Sequence, residues 1–492
     1  SKVYRTLSLM AALVQAGCWL LMLQSFPHHL FGLESNEEKI FALLKTITKI
    51  IPVLVILSRF IEGSSSTVIP GILTSIFLVV TLQTGPNTTV STIFFYLAGL
   101  FCLLHLFSIK YFFYYTLPAP TGKFRVGYKS VTHNGLTFAV YFPTEEIGTR
   151  KAKYFQDKLA MDKLYALSTI AADMPRFVFD LLFDYLRKLP INAYLDVSLI
   201  SPEKLPAGPT NQKFVPIIFS HGLGVTRNSY TCLCTELASQ GHIVFAPEHM
   251  DEVRNILKEP NEGEFKTKHL AKRKSEIKTM LDNIEKGEFL TKIFNRPVPL
   301  ALDRVMMIGH SFGAATAGAL FSEEKRIYDG ALFDPWLCTC KKEGELAKPM
   351  RFSPLVLESD YWNKADPHYE VRERNQLFMR TQKKNGKHVF YAIPKGVDHA
   401  TFSDSALYMA PMLKIFGLLI HLGEARKDME FIANTLRKYV EIALEEHKEN
   451  RDEKKAEKVM ELLNSNKRFL IQQINRKKFV YLYGTVLLTS TP

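Results

Sequence analysis

Residues 309–313 read Gly-His-Ser-Phe-Gly and have the spacing of a serine nucleophile. In the G-x-S-x-G pattern, a sharp turn between a strand and a helix exposes the serine hydroxyl. An apolar run at 304–308 precedes the motif, and the small residues 314–320 that follow it are typical of a helix packed close to a strand. We therefore predict that Ser311 attacks an ester or a related acyl group. The alternative is an ordinary serine in a tight turn.

A serine hydroxyl is a weak nucleophile at neutral pH and needs a positioned general base. In hydrolases with this turn, the chain order is serine, acid, histidine. His399 follows the apolar run 389–393 in the loop Lys-Gly-Val-Asp-His. Since the carboxyl ends of parallel strands are where this kind of sheet binds its ligands, His399 is the predicted base.

The acid that orients this histidine has two candidates. Asp334 ends the apolar run 330–333, one strand after the nucleophile. Asp360 follows the next apolar run, at 355–358. Both fit the order serine, acid, histidine, so the residues alone leave the choice open.

A Gly-rich loop is predicted to complete the site. Residues 220–224 read Ser-His-Gly-Leu-Gly and follow the apolar run 214–219. Acyl transfer needs N–H donors for the oxyanion of the tetrahedral intermediate, and one of them belongs to the residue after the nucleophile. That residue is Phe312, and the second donor is predicted to be the N–H of Leu223. His221 is expected to brace the loop rather than to act as a base.

From residue 118 onward, short apolar runs bounded by turn residues alternate with helical patterns. Short buried strands separated by helices predict a mostly parallel sheet, here an α/β-hydrolase fold. The sheet is expected to begin with a hairpin of 124–130 and 136–142. A long helical stretch is predicted over 151–189, and the charged residues 262–278 are predicted to form a solvated helix.

The first 115 residues are far more apolar than the rest of the chain. Four runs approach the length of about 20 apolar residues that a bilayer-spanning helix needs. They lie at 6–26, 40–57, 67–84 and 90–109. We therefore expect a transmembrane bundle of about four helices over 1–116, a catalytic domain over 117–445 and a basic helical tail over 446–492. The alternative is the core of a soluble helical domain.

Basic residues flank the predicted spans on one side, at Lys2, Arg5, Arg59 and Lys110. Because Lys and Arg concentrate on the cytoplasmic side of membrane proteins, the catalytic domain is expected to face the cytoplasm. With three spans instead of four, it would lie on the opposite side.

The chain has 62 Lys and Arg against 49 Asp and Glu, a net charge of +13. Such an excess favours an acidic partner, either nucleic acid or an anionic lipid surface. The sequence contains no zinc-finger spacing, RNP-like motif or basic zipper, so a lipid bilayer is the predicted partner and nucleic acid is not. Its C-x-C pairs, Cys232/Cys234 and Cys338/Cys340, are predicted to be reduced thiols, with a metal site as the alternative.

Five segments together resemble the platelet-activating factor acetylhydrolase family. They are residues 117–127, 219–224, 309–313, 332–336 and 398–404. The resemblance extends over about 117–445. In that family the acid lies one strand after the nucleophile and a Trp follows it, which implies Asp334 rather than Asp360. The oxyanion positions that the resemblance carries over are Leu223 and Phe312.

The resemblance implies a serine ester hydrolase that cleaves the sn-2 acyl ester of phospholipids with short or oxidised chains, without calcium, another metal or an organic cofactor. The stretch 151–189 would correspond to the family's membrane-touching region. The chain departs from the family at Ala314, where a second Gly is usual, and by its apolar N-terminal region and basic tail. Rival interpretations are another lipid esterase, deacylase or acyltransferase with the same triad, or a non-catalytic subunit of a membrane complex with unknown partners.

Overall fold

The structure is a computed structural model. It describes residues 11–19, 46–47, 50, 68–84, 89–113, 117–155, 158–171, 175–187, 189–208, 210–251, 262–337, 348–359, 369–387, 389–408, 425–445, 451–465 and 469–471. The chain divides into two compact units. The helical unit comprises Ser1–Thr116 and Met174–Leu189, and the sheet unit comprises Leu117–Asp173 and Pro190–Pro492.

Helices and strands are labelled in chain order within the described ranges. The helices are α1 Val68–Thr84, α2 Thr89–Phe113, α3 Lys158–Ala171, α4 Arg176–Phe183, α5 Thr231–Ser239, α6 Glu262–Lys286, α7 Glu288–Phe294, α8 Phe312–Leu320, α9 Tyr369–Lys384, α10 Ser405–Tyr408, α11 Ala425–Leu444 and α12 Arg451–Asn464. The strands are β1 Arg125–His133, β2 Leu136–Thr144, β3 Lys151–Lys153, β4 Pro190–Tyr194, β5 Pro216–Ser220, β6 Ile243–Pro247, β7 Val305–His310, β8 Ile327–Phe333, β9 Leu355–Leu357, β10 Phe390–Pro394 and β11 Phe469–Ile471. Residues 11–19 are also helical.

The strands form one sheet in the order β11-β10-β9-β8-β7-β5-β6-β2-β1-β4-β3. Neighbouring strands from β10 across to β6 run parallel. Strand β2 is antiparallel to both β1 and β6, and β11 is antiparallel to β10. Strands β5, β6 and β7 are buried along their whole length, as parallel strands covered by helices on both faces are. This mostly parallel sheet with its helices confirms the predicted α/β-hydrolase fold.

The strand order reverses at β5, which lies between β6 and β7. At such a point the loops that leave the carboxyl ends of the strands diverge and open a crevice, where sheets of this kind bind ligands. Ser220, at the end of β5, is paired with Gly309 near the end of β7. The Gly-rich loop and the Ser311 turn therefore leave the sheet side by side.

The predicted hairpin is confirmed and is slightly longer than expected. Strands β1 and β2 pair continuously from Arg125↔Thr144 to His133↔Leu136. The two turn residues, Asn134 and Gly135, have φ of 49° and 73°. Positive φ at both positions is what a two-residue type I′ hairpin turn requires, and Asn-Gly is the pair that adopts it most readily.

The predicted helical stretch over 151–189 is interrupted. Residues Lys151–Lys153 form β3 instead, with Ala152 buried between two exposed lysines, and they pair antiparallel with β4. Alternation of exposed and buried side chains is typical of a strand. The many apolar residues further along the stretch nevertheless favoured the prediction of a helix. Helices α3 and α4 follow, and α4 belongs to the helical unit.

Two described elements within the predicted basic tail over 446–492 belong to the sheet unit. Helix α12 buries Lys455, whose Nζ lies 2.5 Å from Asp329 Oδ2 on β8. Strand β11 extends the sheet next to β10. The sheet unit therefore continues past the predicted limit at 445, because a buried ion pair and a strand ladder join these elements to it.

Within the helical unit, the helical residues 11–19 pack against α1 and α2. Gln15 Nε2 donates to the Gly71 carbonyl at 2.7 Å and to the Ser75 hydroxyl at 3.0 Å. Gln15 Oε1 lies 2.6 Å from Nδ1 of His105. One buried amide thus links three helices and has its polar atoms satisfied by them.

Among the described residues, one helix is long and apolar enough to cross a bilayer, α2 over Thr89–Leu106. Helix α1 is apolar but has 17 residues. The predicted spans at 6–26 and 40–57 lie largely outside the described residues. The structure therefore shows one of the four predicted spans as a helix of sufficient length, and the core helix of a soluble protein would meet the same criterion.

Candidate active site

Ser311 lies between the end of β7 and the start of α8, with φ 54° and ψ −119°. A side chain makes positive φ unfavourable, so the surroundings must impose this turn. Two glycines allow it. A Cβ at Gly309 would lie 2.3 Å from the Gly313 carbonyl oxygen, and a Cβ at Gly313 would lie 2.1 Å from the Ser220 carbonyl oxygen. The nucleophile turn is therefore tightly closed and packs against the end of β5.

Asp334 and His399 form a hydrogen-bonded pair, with 2.5 Å between Asp334 Oδ2 and His399 Nδ1. Asp334 directly follows β8 and is fully buried. Ser359 holds its carboxylate twice, through N–H to Oδ1 and through the hydroxyl to Oδ2, both at 2.7 Å. A carboxylate that accepts from Nδ1–H fixes the imidazole tautomer, and Nε2 is then the basic nitrogen.

The loop that carries His399 is fixed by its own neighbours. His399 begins a 3₁₀ turn that Asp398 caps: the Asp398 carboxylate accepts the Thr401 N–H, and the Asp398 N–H donates to the Thr401 hydroxyl at 3.1 Å. The His399 ring lies 4.6 Å from the ring of His310, centroid to centroid. Because His310 immediately precedes Ser311, this packing places the base beside the nucleophile turn.

The carboxylates at the end of β9 differ from Asp334 in what they contact. Glu358 is buried, and its Oε2 accepts a hydrogen bond from Asn375 at 3.2 Å. Asp360, the other candidate acid, lies outside the described residues. The structure brings Asp334 to the predicted base, as the family resemblance implied.

The Gly-rich loop lies against the nucleophile. A Cβ at Gly222 would be 3.4 Å from Ser311 Cβ, so the loop backbone passes next to the serine. In the described part of the chain, neither the Leu223 N–H nor the Phe312 N–H donates to a protein acceptor. Both N–H groups are therefore available to an oxyanion formed at Ser311, as acyl transfer requires.

Side chains from three elements hold this loop. His221 Nδ1 donates to the Gly222 carbonyl at 2.7 Å, which matches the bracing role predicted for it. Tyr230, before α5, accepts the Gly222 N–H at 3.0 Å and contacts His310 Nδ1 at 2.7 Å, so it joins the loop to the nucleophile turn. Arg273 of α6 donates to the carbonyls of His221 and Gly222 at 2.6 and 3.2 Å.

Buried ion pairs support these braces. Burial opposes ionisation of Asp251, yet the Arg273 guanidinium holds the pKa of that carboxyl well below its usual range. Burial likewise opposes ionisation of Glu248, and the charges of Lys163 and Arg227 keep its carboxyl pKa well below the usual range. Both carboxylates are therefore charged at neutral pH, and Asp251 holds Arg273, which braces the loop.

The candidate metal-binding group among the described residues is His310, Asp334 and His399, whose ligand atoms lie within 4.8 Å of one another. The Asp334–His399 hydrogen bond and the contact of His310 with Tyr230 already engage one ring nitrogen of each histidine. A hydrogen-bonded pair beside a serine accounts for the group without an ion. Of the C-x-C pairs, Cys232 and Cys234 are buried free thiols, and Cys338/Cys340 lie outside the described residues.

Sequence reasoning missed Arg273, Tyr230 and Ser359. Arg273 had a detectable signal: it lies three residues after Leu270 and four before Ile277, in the apolar stripe of a helix that looked solvated. Charged residues rarely occupy such a position unless they are paired. Tyr230 and Ser359 carry no comparable signal, since each acts through contacts with residues far away in the chain.

The site therefore has a strained serine between a strand and a helix and a histidine held by a buried carboxylate. It also has two N–H groups, of Leu223 and Phe312, without an acceptor in the described part of the chain. These features define the serine-hydrolase class of α/β proteins. Comparison with known proteins narrows the class. The family model described as "Platelet-activating factor acetylhydrolase, isoform II" matches residues 111–262 and 253–467, well over half of the chain. The chain belongs to this family.

Individual relatives share less than a third of their aligned residues with this chain. The chain is 28% identical over 247 residues to a platelet-activating factor acetylhydrolase of Cavia porcellus, an alignment covering 43% of this chain and 53% of that protein. It is 29% identical over 161 residues to the Bos taurus protein of the same name, covering 26% and 36%. The chain thus spans about half, or less, of the curated relatives that it matches. A ferulic acid esterase from Streptomyces cinnamoneus aligns with a TM-score of 0.48 at 16% identity, over 66% of this chain and 92% of that one.

Proposed function

We propose that this chain is a serine ester hydrolase that works by two-step acyl transfer. The observation that carries the proposal is the 2.5 Å hydrogen bond between Asp334 and His399, beside a serine held at positive φ. In the first step, Ser311 Oγ attacks the ester carbonyl carbon and His399 Nε2 takes its proton. The Leu223 and Phe312 N–H groups stabilise the oxyanion that forms.

Collapse of this intermediate breaks the ester C–O bond. His399 gives its proton to the leaving alcohol oxygen, which leaves the acyl group on Ser311. Water then attacks the acyl-enzyme and loses a proton to His399, and a second collapse releases the carboxylic acid and restores Ser311. Asp334 stays ionised throughout and stabilises the imidazolium that forms twice in the cycle.

We infer that the substrate is a phospholipid with a short or oxidised sn-2 acyl chain, and that hydrolysis needs no calcium. Family membership supports this inference, as do relatives named platelet-activating factor acetylhydrolase and a Schizosaccharomyces pombe relative named putative phospholipase A2. The chemistry requires no metal, because His399 and the two N–H groups supply the base and the electrophilic stabilisation.

A lipid panel in the presence of EDTA tests this proposal. Purified full-length protein is given phosphatidylcholines with acetyl, oxidised short or palmitoyl sn-2 chains, and a triacylglycerol. We expect release of the short and oxidised acids at least tenfold faster than palmitate, lost in Ser311→Ala and kept in Ser275→Ala, a control on the exposed face of α6. Preference for the triacylglycerol, or transfer of the acyl group to an added alcohol without hydrolysis, would instead indicate a lipase or an acyltransferase.

We further propose that the N-terminal region attaches the protein to a bilayer, with the sheet unit in the cytoplasm. The length and apolar composition of α2 support attachment, and the basic flanks support this side. The test is carbonate extraction of cell membranes followed by protease treatment of intact vesicles. We expect a carbonate-resistant protein whose C-terminal tag is digested. Extraction by carbonate would exclude a spanning segment, and a protected tag would place the sheet unit on the other side.

A further inference from the structure

A buried arginine lies beneath the Gly-rich loop and contacts both segments that carry the proposed oxyanion donors. Arg273 has 0% of its side chain exposed and pairs with Asp251, whose side chain is 2% exposed. We propose that Arg273 is a positioning residue that orients the Leu223 N–H toward the oxyanion. This inference rests on the proposed function, because it concerns the same acyl-transfer step.

The Gly222 carbonyl and the Leu223 N–H belong to the same peptide, and a peptide is planar because of its partial double bond. Its C=O and N–H point in opposite directions in the trans form. Whatever fixes the direction of the Gly222 carbonyl therefore also fixes the direction of the Leu223 N–H.

Two charged or polar side chains fix that carbonyl. Arg273 Nη2 donates to the Gly222 oxygen at 3.2 Å, and Arg273 Nη1 donates to the preceding His221 carbonyl at 2.6 Å. His221 Nδ1 donates to the same Gly222 oxygen at 2.7 Å. The donor role of Nδ1 follows from the other ring nitrogen, because His221 Nε2 accepts the His249 N–H at 3.0 Å.

A hydrogen bond donated to the carbonyl oxygen also makes the N–H of the same peptide a stronger hydrogen-bond donor. Hydrogen bonds in a chain polarise one another, most effectively in a buried site. A guanidinium donor is charged, so its effect on the peptide is larger than that of a neutral donor. The Leu223 N–H is thus both aimed and polarised before any substrate arrives.

Arg273 also touches the second donor residue. Its guanidinium carbon lies 4.5 Å from the ring centroid of Phe312, the residue that follows the nucleophile. Asp251 holds the guanidinium in place through two contacts, Nε to Oδ1 at 3.0 Å and Nη2 to Oδ2. One planar cation thereby sets the position of the Gly-rich loop relative to the nucleophile turn.

The competing interpretation is that Arg273 serves only the stability of the core. The stability role and the positioning role predict different effects of the conservative replacement Arg273→Lys. Lysine keeps the charge opposite Asp251, but it lacks the planar fork that reaches two carbonyls and a carboxylate together. If Arg273 acts through the loop, Arg273→Lys impairs stabilisation of the oxyanion in molecules that are fully folded.

The experiment compares full-length wild type with Arg273→Lys, Arg273→Gln and the control Lys268→Gln, which removes an exposed charge from the same helix. Active sites are first titrated with a fluorophosphonate, so that rates refer to folded, reactive protein. Hydrolysis of a short-chain ester then gives kcat and KM. Affinity for a trifluoromethyl ketone, which adds Ser311 Oγ to form a bound oxyanion, is measured separately.

We expect kcat to fall roughly ten- to hundredfold in Arg273→Lys with KM changed less than about threefold, since complete loss of one oxyanion donor costs about 10²–10³ in kcat. Trifluoromethyl ketone affinity should fall in parallel with kcat/KM, and Lys268→Gln should match wild type. Arg273→Lys with wild-type kcat and ketone affinity would overturn the inference, whether or not Arg273→Gln folds. If wild type itself shows no titratable serine, the proposed function fails instead.

Discussion

Ser311 has backbone angles that a residue with a side chain adopts only where its neighbours leave no alternative. The position of its hydroxyl depends on the close approach of the helix start to the end of β5. Gly313 is the point of closest approach, since a Cβ there would lie 2.1 Å from the Ser220 carbonyl oxygen, a backbone atom. The strained backbone conformation of Ser311 is therefore maintained by Gly313, which takes no part in the chemistry.

Two separate glycine-to-alanine variants in α8 test whether Gly313 maintains the nucleophile turn. Gly313→Ala must push the Gly-rich loop away from the nucleophile, so we expect loss of ester hydrolysis by more than about 10²-fold, as for a lost oxyanion donor. Gly318→Ala on the same helix places its Cβ 3.6 Å from the side chains of Leu332 and Leu337, an ordinary contact. Alanine is a better helix former by about 1 kcal/mol, so this control should keep activity and stability. Equal activity of the two variants would contradict the argument.

The buried imidazole of His310 is expected to make folding stability depend on pH. Burial, followed by the proximity of His399, holds the pKa of this imidazole well below 6.5, so it is neutral in the folded protein. The unfolded chain binds a proton there below about pH 6.5, and protonation then favours unfolding. The neutral His310 therefore contributes fully to the stability of the folded protein above pH 6.5, and this contribution is lost as the pH falls below that value.

Urea unfolding of His310→Gln and wild type at pH 7.5 and 5.5 checks this sign. The variant lacks the proton-binding site, so its stability deficit relative to wild type should shrink by about 1 kcal/mol on going to pH 5.5. Titrating groups shared by both proteins cancel in the difference. A deficit that stays constant or grows would show that His310 is not held neutral.

Among the elements, α12 shows how a charged helix becomes part of a core. Lys455 lies in line with Val459 and Leu463 and is 1% exposed. Its Nζ contacts Asp329 Oδ2 at 2.5 Å and donates to the Ser353 carbonyl at 2.7 Å. The Tyr439 hydroxyl of α11 donates to the other oxygen of Asp329 at 2.7 Å. Two C-terminal helices thus converge on one buried carboxylate of β8.

Removal of the cation should therefore destabilise the sheet unit strongly. Lys455→Ala leaves Asp329 buried without its charge partner, which typically costs about 3–5 kcal/mol. Lys454→Ala removes an exposed lysine from the same helix and should change stability by less than about 0.5 kcal/mol. The free energy of unfolding by urea measures both. A Lys455→Ala value within error of the Lys454→Ala value would show that α12 contributes little to the sheet unit.

At the scale of the whole molecule, sequence patterns predicted the sheet because its buried strands and turn residues are local signals. The alternating lysines of β3 were misread, since three residues carry too little periodicity beside a long apolar stretch. Asp334 could be chosen over Asp360 only by family resemblance, because chain order does not say which carboxylate the fold brings to His399. Arg273 and Lys455 were read as surface charges, since a charge in an apolar stripe reveals its role only when its partner is known.

Fluorophosphonate labelling of the detergent-solubilised, full-length protein, read by peptide mass spectrometry, tests the central claim most directly. A fluorophosphonate reacts with a serine only where a base has activated it. We predict one adduct, on Ser311, absent in Ser311→Ala and formed at least about 10³-fold more slowly in Asp334→Asn, which disrupts the imidazole tautomer. An unlabelled wild type, or labelling that persists in Ser311→Ala, would contradict the assignment of this chain as a serine hydrolase acting through Ser311, Asp334 and His399.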